Sequence, residues 1–233
     1  MKSDPEVERL TTVYREYRPP LAARWSPANP GNRAILTELD RRIGRLVNES
    51  GLLRTSDVKI LDIGCGYGHF LETLRSLGAP AGALHGLDLL PERIDYARDH
   101  HPGVDFRTGR ADEVPYPDGS FSLVLFFSLF TSIIDTGMRA RVAAEARRVL
   151  RPGGAILWYD FRFDNPWNPH VRGMRRRDVA DMFPGFALEL DTITLLPPLA
   201  RRLGPLTPVA YPLLAGVPAL RTHHFGLLRP RAE

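Results

Sequence analysis

The chain has 233 residues, a net charge of +4 and a pI near 9.5, and its 43% hydrophobic content suits one domain with a substantial core rather than two independent ones. Its only lysines are Lys2 and Lys59, so the basic excess is arginine; interleaved Asp and Glu in an Ala-, Pro- and Gly-rich composition fit a GC-rich genome and argue against a nucleic-acid partner. The single cysteine, Cys65, excludes an internal disulfide, and with a charged N-terminus in place of a signal peptide it points to a cytoplasmic setting. Of the uncharged runs, 120–134 is too short to span a bilayer and 203–220 carries four prolines.

Val7, Leu10, Tyr14 and Tyr17 stand at near-helical spacing over residues 4–18, and Pro19-Pro20 ends that helix. After an irregular stretch from Trp25 to Asn32, Ile35, Leu36, Leu39, Ile43, Leu46 and Val47 predict a second amphipathic helix ending near Gly51. Residues 1–55 thus read as an N-terminal helical cap, with Tyr14, Tyr17 and Trp25 as candidate substrate-binding side chains. Residues 56–233 read as one α/β unit.

That unit opens with Val58 to Ile63, an apolar run of the kind found in strands covered on both faces. Gly64, Gly66 and Gly68 let the backbone turn and approach a ligand, and Phe70, Leu71, Leu74 and Leu77 start a helix whose free amides face the loop. A dinucleotide fingerprint wants glycines at positions one, three and six; the sixth position from Gly64 is His69. A second strand, 83–88, ends in Asp88, where nucleotide-binding sheets place an acid for ribose hydroxyls. A helix from Pro91, a strand over 104–108 and a loop to Phe121 follow. Phe121–Phe127 is the most apolar strand and is expected at the centre of the sheet. A helix over 139–150, a turn at Pro152-Gly-Gly154 and a strand over 155–160 come next. The last elements are a helix over 177–183 and strands over 186–196 and 222–228, separated by a proline-rich apolar insert.

Asp62-Ile-Gly-Cys-Gly-Tyr-Gly68 resembles motif I of class I S-adenosylmethionine-dependent methyltransferases, written there as acidic-x-Gly-x-Gly-x-Gly. Two later phrases are also similar to that family: Ala111-Asp112 through Pro117-Asp-Gly-Ser-Phe121, and Arg148-Val-Leu-Arg-Pro-Gly-Gly154 before strand five. Ser122 departs from the family, which usually has an acidic residue there. The resemblance implies a doubly wound, Rossmann-like seven-stranded sheet of order 3-2-1-4-5-7-6 with strand 7 antiparallel, and S-adenosyl-L-methionine as cofactor. It places Asp62, Gly64, Cys65, Gly66 and Gly68 at the methionine end, Asp88 at the ribose and Asp112 at the adenine, with Leu89, Ala111 and Phe127 beside them.

The implied reaction is methyl transfer to a small-molecule acceptor such as a secondary metabolite, a sugar or a glycan precursor, with the protein supplying position and desolvation. His170, in the loop after strand five, and His223 and His224, at the start of strand seven, are the candidate bases; Arg172 is a candidate for an acidic substrate. Ser128-Leu-Phe-Thr131 lacks the Asn/Asp-Pro-Pro-aromatic motif of nucleic-acid methylases, and Asp160 is followed by Phe161 rather than by a cation-binding Asn, so no metal is expected. The insert 203–220, set between Arg201-Arg202 and Arg221, leaves room for a second reading, a quinone or lipid-linked acceptor at a membrane surface, and for a blander role in a homodimer. From other classes, an NAD(P)-binding oxidoreductase and a non-catalytic cofactor-binding domain stay open.

Overall fold

The most apolar run becomes β4, Phe121–Phe127, with every residue buried. In the computed structural model, which describes residues 4–16, 26–53, 57–165 and 168–231, this strand lies in the middle of a seven-stranded sheet. Its neighbours are β1 (Ile60–Ile63) and β5 (Leu150–Phe161), both parallel to it. Outside β1 lie β2 (Leu84–Asp88) and β3 (Asp105–Thr108); outside β5 lie β7 (Arg221–Pro230), antiparallel, and then β6 (Phe186–Leu195) at the edge. The order is 3-2-1-4-5-7-6, as the resemblance implied.

The pleat of β4 divides the core. Leu123, Leu125 and Phe127 point to one face, where α2 (Pro30–Ser50), α3 (His69–Ser76) and α4 (Pro91–His100) cover the sheet; Val124 and Phe126 point to the other, covered by α5 (Thr136–Val149) and α6 (Arg176–Met182). The apolar stripe of α2, Leu39, Ile43 and Val47, enters the same core as β1 and β4, so this helix is part of the sheet's packing rather than a detached cap. Asn29 caps its start by accepting from Gly31 N and Asn32 N, and Gly51 ends it in the left-handed conformation at φ 65°. The shorter helix α1 (Pro5–Glu16) sits apart from it, over the carboxyl edge of the sheet. Tyr17 and Trp25 lie outside the described residues.

One expectation changes, and one segment left without an element gains two. Pro152-Gly-Gly154 does not precede strand five but bulges within it: Phe121 pairs with Leu150, Leu123 with Ala155, and the residues between loop out. The proline-rich insert is helical, as α7 (Pro197–Arg202) and α8 (Thr207–Ala215), because its prolines fall largely in first turns, where no intrahelical N–H is needed. Ile35, Leu195, Ala200 and Tyr211 form the small cluster that seats these helices on α2 and β6. A Cβ on Gly31 would stand 2.1 Å from the carbonyl oxygen of Ala200, so glycine permits the close approach of α2 to α7. Among the described residues, no helix is long and apolar enough to cross a membrane.

Candidate active site

At the carboxyl end of β1 the chain turns through Gly64, at φ +83°, where an added Cβ would also stand 2.9 Å from the Leu129 side chain. The loop is tied to β2. Gly64 N and Cys65 N donate to Leu87 O at 2.7 and 3.1 Å, and Gly66 N donates to Asp88 Oδ2 at 2.9 Å. Asp88 Oδ1 accepts from Leu90 N at 3.0 Å, and Arg93 stands 3.7 Å from the same carboxylate. The amides from Gly64 to Gly66 therefore all have acceptors inside the protein and do not form a phosphate cradle. Gly68 faces away from the ligand side, against His101 and Phe106.

A cleft of about 260 Å³ opens beside this loop. Gly64, Asp88, Leu89, Ala111, Asp112 and Phe127 line it; Asp62, Cys65, Gly66 and Gly68 lie outside its lining. Phe127 is held by a stacked Phe70 ring, 3.7 Å between centroids. The roof is α1, through Val7, Leu10 and Tyr14. Glu6 fastens that roof by accepting from Ile134 N at 2.6 Å, Arg9 Nη2 donates to Ser132 O at 2.6 Å, and the Tyr14 and Ser132 hydroxyls share a hydrogen bond. Asp4, just before α1, meets Arg141 at 3.0 Å and Arg110 at 3.4 Å.

Asp112 carries more bonds than its sequence position suggested. Arg110 grips it with two, at 3.0 and 2.9 Å, and Arg141 adds a third at 3.0 Å. Burial pushes the Asp112 carboxyl up, but the Arg110 and Arg141 bonds outweigh it and hold the group below its usual range. Asp62 is the opposite case. Both its carboxylate oxygens are buried without a hydrogen-bond partner, and burial, with Asp88 nearby, raises its pKa to about 8.

Comparison with known proteins decides what family this site belongs to. A model of the methyltransferase domain matches residues 60–154. A protein of Mycolicibacterium smegmatis named as a probable S-adenosylmethionine-dependent methyltransferase is 30% identical over 200 residues, which cover 75% of each chain. The chain belongs to the S-adenosylmethionine-dependent methyltransferases. The phthiotriol/phenolphthiotriol dimycocerosates methyltransferase of Mycobacterium leprae is 32% identical over 193 residues, 78% of this methyltransferase and 67% of that one. Among solved structures, an S-adenosylmethionine-dependent methyltransferase from Mesorhizobium loti superposes with a TM-score of 0.56 at 19% identity, covering 74% of this chain and 91% of that one, a likeness of fold.

S-adenosylmethionine is thus the cofactor of this methyltransferase, and the cleft fits it. Each Asp88 oxygen accepts one backbone amide and keeps capacity for a ribose hydroxyl. The orphaned Asp62 carboxyl leaves two unpartnered oxygens buried behind the glycine loop, and a cofactor that carries an ammonium and a sulfonium would favour its ionised form.

None of the three candidate histidines lines the cleft. His170 is exposed on the loop after β5. His223 is buried at 2% exposure, stacked on Tyr159 and in tilted contact with Phe161, with Nδ1 2.8 Å from the Thr222 hydroxyl; burial, then His224, lowers its pKa to about 3. His224 is half-buried, and burial with Arg162 and Arg176 nearby lowers it too. Arg172 contributes its backbone, which exchanges bonds with Thr131 at 2.8 and 3.0 Å, while its side chain is exposed.

The cleft also contains residues the sequence did not single out. Ser128 follows β4 at φ 55°, an uncommon conformation for serine, with its carbonyl accepting from the Ser132 hydroxyl at 3.1 Å. Leu129, Ile133 and Met138 add apolar side chains to the lining, with Leu129 packed against Gly64. No local pattern marks them, since Ser128, Leu129 and Ile133 reach the cleft from the turn after β4 and Met138 from the first turn of α5. Behind them Asp160 accepts from Thr131 N and Phe161 N at 3.0 and 2.8 Å; burial raises it to about 7 against those bonds.

Proposed function

We propose that this methyltransferase acts on a small molecule with a substantial apolar body, of the lipid-linked or acyl-bearing class rather than a sugar. The observation that carries the reading is the wall facing the cofactor positions: Val7, Leu10, Leu129, Ile133 and Met138 offer a sugar no hydrogen bonds, whereas an alkyl chain or ring would bury well against them. The name of a further relative, the fatty-acid O-methyltransferase of Mycolicibacterium smegmatis, supports the same class.

In this reading Asp88 holds the ribose, Asp112 with its arginines borders the adenine, and Gly64 faces the methionine end with Asp62 buried behind it. When bound, S-adenosylmethionine supplies an electrophilic methyl group on a sulfonium. The protein's part is to exclude water beneath α1 and to orient the acceptor, with the Tyr14, Ser128 and Ser132 side chains as the hydroxyl groups at hand. Because His170, His223 and His224 stand outside the lining, the nucleophile is expected to be one that needs no histidine base, such as a carboxylate or an acidic hydroxyl.

Calorimetry with S-adenosylhomocysteine, followed by methyl-transfer assays on long-chain acids, hydroxylated lipids and sugars, tests this. Micromolar binding with turnover of the apolar acceptors is expected; turnover of the sugars alone would overturn the acceptor class.

A further inference from the structure

The helix α8 forms one bank of a second concavity, a groove of about 550 Å³ whose other bank is α2. Five arginines line it, Arg33, Arg41, Arg42, Arg45 and Arg221, against one acid, Glu38, and the Glu38 carboxylate already accepts from the Tyr211 hydroxyl at 2.7 Å. The formal charge of the whole chain is only +4, so its basic excess is concentrated along this groove. Several arginines elsewhere are paired, Arg75 with Glu72, Arg107 with Asp105, Arg110 with Asp112 and Arg148 with Glu145. Among the described residues no carboxylate pairs with Arg41, Arg42 or Arg45, and Arg221 bonds only to the carbonyls of Ala215, Thr192 and Gly216. Those carbonyls aim the guanidinium without neutralising it.

Beside the groove the chain leaves apolar side chains in water. Leu206, Val209, Leu213 and Val217 are 69%, 68%, 70% and 44% exposed, and their spacing of three, four and four residues puts them along one side of α8 and its flanks. The α8 segment itself, Thr-Pro-Val-Ala-Tyr-Pro-Leu-Leu-Ala, carries no charge. Pro208 and Pro212, each one residue before Val209 and Leu213 and about 100° round the helix from them, line the groove, so the exposed ridge borders the arginine-lined concavity. Topology sets this face near the chemistry: β6 runs parallel to β5, and the insert joins its carboxyl end to the start of β7, so α8 sits at the same edge of the sheet as the cleft.

We propose that the α2–α8 face docks this enzyme on an anionic phospholipid bilayer, with the arginines on the phosphates and Leu206, Val209 and Leu213 in the acyl boundary. Guanidinium groups pair with phosphate oxygens, and an exposed apolar ridge beside them inserts below the head groups. A second copy of the chain is the poorer occupant, because a symmetric contact would set one arginine groove against another. The proposal deepens the apolar-acceptor reading and rests on it for its purpose: a docked enzyme meets an acceptor that resides in the membrane.

Vesicle flotation of the full chain tests it without turnover. The protein is expected to float with vesicles of phosphatidylcholine and phosphatidylglycerol, to stay behind with phosphatidylcholine alone, and to be released by salt. Arg41→Glu with Arg45→Glu, and separately Val209→Ser with Leu213→Ser, should each cut the floated fraction about tenfold, with S-adenosylhomocysteine affinity unchanged as the check on folding. No flotation, flotation equal on neutral vesicles, or flotation that survives both double substitutions would overturn the proposal. So would capture of a soluble acidic carrier protein in place of vesicles. Methylation of apolar acceptors dispersed in detergent would persist in any of these cases, so docking can fail while the acceptor reading stands.

Discussion

The cleft under α1 and the groove beside α8 share one edge of the same sheet and are built from opposite materials. In the cleft the charges are buried or balanced: Asp88 braces two backbone amides, Asp112 is clamped by Arg110 and Arg141, and apolar side chains fill the rest. In the groove arginines outnumber acids, and several have no carboxylate partner among the described residues. A closed network fixes its own geometry and suits a cofactor that must be held in one pose. An open row of like charges has no internal reason to exist and is complementary to something outside the molecule.

Substitutions on each side should separate the two surfaces. The largest effect is expected from Asp88→Ala, which removes the proposed ribose acceptor and strands the amides of Gly66 and Leu90; affinity for S-adenosylhomocysteine should fall about 100-fold or more in calorimetry. Gly64→Val comes next: its φ of +83° and the 2.9 Å approach to Leu129 should destabilise the fold by roughly 1–3 kcal/mol and weaken binding, read by thermal melts and the same titration.

Asp62→Asn probes the buried carboxyl. With a folded pKa of about 8 against 3.8, the folded protein keeps a proton that the unfolded chain releases, so stability is full below pH 4 and declines as the pH rises to about 8; Asp160, at about 7, adds to the decline. Without cofactor, the asparagine variant should melt roughly 3–6 °C above wild type at pH 8 and level with it near pH 4. An offset that is the same at both pH values would refute that assignment. Tyr14→Phe should lower kcat/KM by about three- to tenfold with little change in melting temperature, the loss of one orienting hydroxyl. Smallest of all, Arg41→Glu with Arg45→Glu should leave cofactor affinity within about twofold, since neither residue lines the cleft.

What the sequence determined by itself was local. The turn from Asp62 to Gly68 needs positive φ at its glycines and a strand behind it, and both requirements are written in consecutive residues. Asp88 was legible for the same reason, as the last residue of the next strand. The alternation of strands and helices gave the layers, and the resemblance supplied their order. Tertiary structure decided the rest. Val7, Leu10 and Tyr14 announced an amphipathic helix but not that its stripe would roof a cleft, and Leu129, Ile133 and Met138 carried no pattern of their own. His223 read as a free imidazole at a strand end until antiparallel pairing set it between Phe161 and Ile193 and buried it. The insert received no element from its sequence, and its helices are seated where Ile35, Leu195 and Ala200 receive Tyr211. Four of the groove arginines, Arg33, Arg41, Arg42 and Arg45, stand in one helix, but the concavity exists only because packing set α8 and Arg221 of β7 beside α2. Backbone conformation answers to near neighbours, whereas a pocket is assembled from residues that only the packed sheet makes adjacent.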